Sequence, residues 1–273
     1  MSDANRRDAR VDRGPPGEAM PAATRRQHAA AGGAGPCLAM RDVSFAWHAR
    51  GTAVLEIARF EVGTGEKVFV RGPSGCGKTT LLSLLGGVVT PQRGEVILLD
   101  TRIDGLRGSA RDRFRAAHIG IIFQMFNLIP YLSMVENVML PCEFSARRRD
   151  RSQARCGSVH EDALRLLADL ELADAALLDR PVTELSVGQQ QRVAAARALI
   201  GTPEVVIADE PTSSLDADTK ERFVELLFRE CEDSGATLVF VSHDAALGAL
   251  FDRSVSLEEL NAAPRRADAA PRR

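Results

Sequence analysis

The eight residues Gly72-Pro73-Ser74-Gly75-Cys76-Gly77-Lys78-Thr79 constrain this chain more than any other stretch. They follow an apolar run, Lys67-Val68-Phe69-Val70, and precede another, Leu81-Leu82-Ser83-Leu84-Leu85. The order is strand, glycine-rich turn, helix, which is the setting a phosphate-binding loop requires. The glycines permit positive φ and close backbone approach, so successive N–H groups can face phosphate oxygens. The helix beyond adds the dipole of its N-terminus. Lys78 is expected to reach the β- and γ-phosphates of a nucleotide, and the Thr79 hydroxyl to ligate Mg²⁺.

The flanking pattern agrees with an α/β core. Residues 38–47 and 54–62 read as short strands, with a turn at 63–65. Residues 94–99 and 119–123 read as further strands, and the period turns helical over 133–140 and 160–170. Residues 186–199 and 219–231 are expected helices. The continuous β-branched or apolar runs at 205–208 and 237–241 suit parallel strands covered on both faces. Strands and helices alternating around a phosphate loop predict a mostly parallel sheet. Residues 1–36 and the tail from Asn261 are rich in Ala, Arg, Pro and Asp, with almost no large apolar side chains. Both are expected to be disordered, leaving 37–260 as the folded domain.

Bulk properties exclude several classes. The 45% hydrophobic content supports a sizeable core, and a net charge of −2 gives no electrostatic case for nucleic acid. The five cysteines are scattered and form no CxxC pair, which fits a reducing compartment and opposes a zinc site. No apolar stretch approaches the ~20 residues of a membrane span. Arg6-Arg7 has no apolar run behind it, so a secretory signal is not expected. Any spanning part must come from another chain.

Further chemistry lies downstream. Val205-Val206-Ile207-Ala208 ends in Asp209-Glu210, so a strand delivers two acids to the carboxyl edge of the sheet. Asp209 is placed to hold Mg²⁺, and Glu210 to orient or deprotonate an attacking water. His243 follows the next strand and is expected at the same edge, within reach of the γ-phosphate and that water. Gln124 ends another apolar strand, where its neutral amide can touch the Mg²⁺ shell. In Leu185-Ser186-Val187-Gly188-Gln189, Thr183 or Ser186 can cap the following helix, and Ser186, Gly188 and the helix N-terminus form a second anion site. One chain already has a phosphate loop for its γ-phosphate, so the economical arrangement gives the second site to a partner chain, with ATP between them.

These motifs, in this order, resemble the nucleotide-binding subunit of an ATP-binding cassette (ABC) transporter, from about Leu38 to Leu257. The resemblance implies the P-loop NTPase core with an N-terminal antiparallel β subdomain and a helical subdomain over about 125–190. It implies a phosphate loop at Gly72, Pro73, Ser74, Gly75, Cys76, Gly77, Lys78 and Thr79 with Thr80 behind it. It also implies Gln124 as the Q-loop, Ser186, Gly188 and Gln189 in the signature, and a D-loop at Ser214-Leu215-Asp216. His243 would be the switch histidine. Trp47 stands where the family places an aromatic on adenine, with Phe45 as the competitor. Val187 departs from the family's usual Gly.

Phe123-Gln124-Met125-Phe126-Asn127-Leu128-Ile129-Pro130-Tyr131 and the residues to Val138 resemble lipoprotein-releasing and macrolide-export ATPases. In that group this segment grips a coupling helix of a separate permease. The implied assembly is a homodimer around two Mg-ATP, peripheral on the cytoplasmic face of the inner membrane beside an integral-membrane permease. Amino-acid importer ATPases share parts of the pattern, and a soluble cassette of the iron–sulfur assembly type is the alternative. The basic run Arg147-Arg148-Arg149, Arg151 and Arg155 is expected to be a solvated face of the helical subdomain, or to meet anionic lipid.

Overall fold

The computed structural model describes residues 35–49, 51–213 and 215–263. The expected N-terminal extension, apart from Gly35 and Pro36, lies outside them.

β1 (Leu38–Phe45) and β2 (Leu55–Val62) pair antiparallel, with Leu38 opposite Val62 and Phe45 opposite Leu55. Val43 and Phe45 of β1 face inward, as do Leu55 and Ile57 of β2, the period-2 alternation of strands with one face on the core. β3 (Lys67–Arg71) leads through the glycine-rich turn into α1 (Lys78–Leu85). β4 (Arg93–Leu98) and β5 (Thr101–Arg102) complete the antiparallel sheet, in the order β2-β1-β4-β5.

The chain continues through α2 (Gly108–His118), β6 (Ile119–Ile122), α3 (Met134–Phe144), α4 (Ala146–Cys156), α5 (Val159–Asp169), α6 (Ala175–Leu178) and α7 (Val187–Leu199). It closes with β7 (Val205–Asp209), α8 (Ala217–Ser234), β8 (Thr237–Ser242), β9 (Arg253–Ser256) and α9 (Leu257–Leu260). The second sheet runs β6-β7-β8-β3-β9, and every pair in it is parallel. The fold is the α/β arrangement expected, a parallel sheet joined to an antiparallel one and flanked by helices.

Two cores cover the parallel sheet. Leu55, Val68, Leu81 and Val239 belong to the one shared with the antiparallel sheet and α1. Phe69, Val138, Leu166, Val193 and Phe240 belong to the one beneath the helices. β8 is buried along its whole length, which is why its sequence is continuously apolar. Register matters for function: Arg71 lies opposite Ser242 and Asp209 opposite Val241. The loops after β3, β7 and β8 therefore emerge together at the carboxyl edge. A Cβ on Gly120 would sit 2.1 Å from the Ala198 carbonyl oxygen, so β6 and the end of α7 meet backbone to backbone. No described helix is long and apolar enough to cross a membrane.

Three features depart from the sequence reading. α2 buries no side chain and α4 buries only Arg148 and Ser152, so neither shows an apolar stripe. The basic run is not simply a solvated or lipid-facing surface. Arg147 and Arg151 both pair with Glu204, Arg149 donates to the Cys142 carbonyl, and Arg148 is 2% exposed. The first residues of the expected tail are bonded to the folded body, and the rest of it lies outside the described residues. The Asn261 amide bonds the backbone of Val54 and Glu56, and the Ala262 N–H bonds the Glu56 carbonyl.

Candidate active site

The turn after β3 reaches α1 through Gly75 (φ 82°) and Gly77 (φ 104°). A side chain would strain either position. Gly77 is the N-cap of α1 and no side chain caps that helix, which leaves its first N–H groups to face an anion. Lys78, the first helical residue, is 7% exposed. Its Nζ donates to the carbonyls of Gly72 (2.7 Å) and Pro73 (3.2 Å) and lies 2.9 Å from Glu210 Oε1.

β7 brings up the acids. The Thr79 hydroxyl donates to Asp209 Oδ2 at 3.1 Å. Glu210 has a positive φ of 45°, a conformation costly for a non-glycine residue and met mostly at functional sites. Its N–H bonds the Val241 carbonyl at 2.9 Å, so β8 holds the turn. From the end of β8, His243 Nδ1 hydrogen-bonds Glu210 Oε2. Burial pushes the Asp209 carboxyl up, against the pull of the Thr79 hydrogen bond. Burial acts on Glu210 as well, but bonds from Lys78 and His243 outweigh it and hold that carboxyl below its ordinary value.

Pro73, Ser74, Gly75, Cys76, Gly77, Lys78, Thr79 and Thr80 line one cleft of about 1460 Å³ together with Gln124, Asp209, Glu210, His243 and Trp47. Gly72 contributes through its carbonyl on Lys78. Trp47 is 53% exposed and meets Phe45 edge-on at 5.1 Å. Phe45 is 5% exposed, so Trp47 is the aromatic whose face is free for a ligand. The thiol of Cys76, pushed up by burial, is also at this cleft. The cysteines described are all free.

The other expected site residues lie elsewhere. Ser186, Gly188 and Gln189 are at the start of α7 and do not line the cleft. Ser186, not Thr183, caps α7: its Oγ accepts from the Gln189 N–H, and Gln189 Oε1 accepts from the Ser186 N–H at 2.8 Å. Gln189 thus has a structural use of its own, the reciprocal capping box. A Cβ on Gly188 would meet only Leu215, at 3.7 Å, so the start of α7 stands open beside the residues that precede α8. Asp216 caps α8, accepting from the Thr219 N–H and hydroxyl. Ser214 lies outside the described residues.

Four residues that escaped the sequence reading contribute here. Glu258, Asn261 and Ala263 line the cleft from the end of the described chain, where nothing in the local sequence signals a site. Arg197 of α7 donates to the carbonyls of Phe126 and Asn127, both left-handed residues just after Gln124. It ties α7 to the segment after Gln124.

The donor set suits a hard divalent cation. The Thr79 hydroxyl and Asp209 carboxylate are adjacent, and the Gln124 amide shares their cleft. A cation beside Asp209 would relieve the desolvation of its charge. Among the described residues no three His, Cys, Asp or Glu side chains come together as a metal cage.

Comparison with known proteins places this geometry. The family described as ABC transporter matches residues 55–213. The lipoprotein-releasing system ATP-binding protein LolD of Syntrophotalea carbinolica is 41% identical over 216 residues, covering 79% of this chain and 91% of that protein. The dimeric structure of MJ0796, a bacterial ABC transporter cassette from Methanocaldococcus jannaschii, has a TM-score of 0.69 at 33% identity, over 80% of this chain and 93% of that one. A dimeric post-hydrolysis structure of the same cassette, bound to ADP and Pi, has the same TM-score. The chain belongs to the ABC transporter family, as the ATP-binding and ATP-hydrolysing subunit of such a transporter.

Proposed function

We propose that two copies of this chain close around two ATP molecules and drive a separate membrane permease of the export or lipoprotein-release type from the cytoplasmic face of the inner membrane. One observation supports this most: Lys78, Thr79, Asp209, Glu210 and His243 meet in a single cleft, whereas Ser186 and Gly188 stand open outside it. In this reading the β- and γ-phosphates take Lys78 away from Glu210. Thr79, Asp209 and Gln124 hold Mg²⁺, which neutralises phosphate charge when bound. Glu210, released from Lys78 but still bonded to His243, accepts a proton from the water whose oxygen bonds the γ-phosphorus as the bond to the β-phosphate oxygen breaks and ADP leaves. Trp47 stacks on the adenine. Ser186 and Gly188 of the second copy complete the γ-phosphate site from the opposite side.

The coupling surface is the segment after Gln124, where Met125 and Tyr131 are each 80% exposed. The LolD-like sequence of the segment is what favours a lipoprotein-releasing or export permease.

The test is capture of tagged Glu210→Gln protein from solubilised membranes in Mg-ATP, with partners identified by mass spectrometry. A multi-span permease in near-stoichiometric amount is the expected result. A soluble partner, or a dimer of this chain alone in the cytosolic fraction, would replace the transporter reading with a soluble cassette.

A further inference from the structure

Asn261 lies 205 residues from the strand it bonds, yet it flanks a pivotal contact of the cleft. Its Oδ1 accepts from the Glu56 N–H at 2.8 Å, and its Nδ2 donates to the Val54 carbonyl at 3.0 Å. The residue between those two is Leu55. A Cβ on Gly77 would come 2.9 Å from a methyl of Leu55, so Leu55 is pressed against the phosphate loop itself. Val54 in turn bonds the Phe45 carbonyl at 2.7 Å, and Phe45 supports Trp47 edge-on. One amide therefore fixes a short strand whose two neighbours are the phosphate loop and the aromatic shelf.

The amide is itself well held. Its backbone N–H bonds Leu257, and the Ala262 N–H extends the pairing to the Glu56 carbonyl. Leu257 is fully buried, and its Cβ would be 3.5 Å from a Cβ on Gly72, at the other end of the same loop.

We propose that Asn261 is a positioning residue for the nucleotide: it sets the register of Trp47 against the phosphate loop, and so the affinity for the base-bearing part of the ligand. The inference rests on the reading of Trp47 as the adenine shelf, and the test separates the two. It uses the full-length protein and two ligands that are not turned over, Mg-ADP and Mg-pyrophosphate, in calorimetric titrations of the parent, Asn261→Ala, Trp47→Ala and the double variant.

Losing the amide should raise the Kd for ADP about five- to tenfold, as loss of one or two hydrogen bonds acting on the shelf would. The Kd for pyrophosphate, which has no base, should change less than about twofold. KM for ATP should follow the ADP value more closely than kcat does. If the amide acts through the shelf, the double variant binds ADP little worse than Trp47→Ala alone. Asn261→Asp keeps the acceptor for Glu56 but sets a carboxylate oxygen against the Val54 carbonyl, and should weaken ADP at least as much as Asn261→Ala, again with little effect on pyrophosphate. It also serves if the alanine variant does not fold.

Equal weakening of both ligands, or of neither, overturns the proposal, because a merely structural role would not discriminate by the base. Full additivity with Trp47→Ala overturns it too. If Trp47→Ala weakens ADP binding but Asn261→Ala does not discriminate by the base, the proposal fails and the Trp47 reading stands; if Trp47→Ala binds ADP as the parent does, the Trp47 reading fails and takes the proposal with it.

Discussion

The cleft at the carboxyl edge of the parallel sheet and the helical region that carries the signature treat their polar side chains in opposite ways. In the cleft, the groups are paired with one another: Lys78 with Glu210, Glu210 with His243, Thr79 with Asp209. Each pair can be exchanged for a contact to phosphate, metal or water. In the helical region the polar groups hold the fold itself. Ser186 and Gln189 close a helix cap, Glu171 bridges Arg192 and Arg222, and Asn137 bonds the carbonyls of Ile129, Leu132 and Ser133. The difference teaches that one chain carries a cleft whose polar pairs are ready for exchange and, apart from it, a helix start exposed at the surface, which in the proposed dimer meets another copy.

The largest expected effect breaks the first half. Glu210→Gln should lower ATP turnover by about 10³-fold, the worth of a positioned general base, while nucleotide still binds. Phosphate release in a coupled assay checks it, and turnover at the parent rate would remove Glu210 from the chemistry. Next comes the signature. Ser186→Arg should lower turnover by about 10²-fold, as loss of a phosphate-contacting donor does. The affinity of the isolated chain for nucleotide should stay within about twofold, because Ser186 does not line its own cleft. Mixing the two variants sharpens the comparison. With random pairing in a two-fold dimer, half the dimers are mixed and each holds one intact composite site, so turnover should recover to about a quarter of the parent rate. No recovery on mixing would place both halves of a site in one chain.

How much of this was legible beforehand depended on whether a residue acts through its own neighbours in sequence. The phosphate loop, the acids after β7 and His243 after β8 could be placed because strand periodicity carries them to one sheet edge, and the register of β3, β7 and β8 does bring them together. Ser186 could be read as a cap, but not whether Gln189 would serve the cap or a phosphate, since the S-x-x-Q spacing suits both. Arg197 and Asn261 carried no signal at all: each bonds backbone groups 70 or more residues away. α2 and α4 escaped because a helix that buries almost no apolar side chain has no stripe to detect.

The smallest expected effect concerns two buried cations, one in each region. Lys78 has a carboxylate and two carbonyls. Arg148, 2% exposed in α4, donates one long bond of 3.3 Å to the Ala198 carbonyl, and its Nε has no partner among the described residues. Burial pulls its guanidinium down to about 10. Set against an ordinary arginine, that shift corresponds to a cost on the order of 3 kcal/mol for keeping the charge inside. At neutral pH, well below that value, the group is protonated, so a measurement there reports the cost of the buried charge. Arg148→Met keeps the apolar stem and removes the charge. It forfeits one weak bond, while the Cβ and carbonyl oxygen of residue 148 that crowd Gly201, each 2.6 Å from where a Cβ there would sit, stay in place. The balance should stabilise the fold by about 1 kcal/mol, as replacement of poorly compensated buried charges does elsewhere. In denaturant unfolding the midpoint should rise with the slope unchanged, and turnover should follow the parent. A fall in midpoint would mean that Arg148 is better satisfied than its one bond suggests, and that the contrast with Lys78 is one of degree.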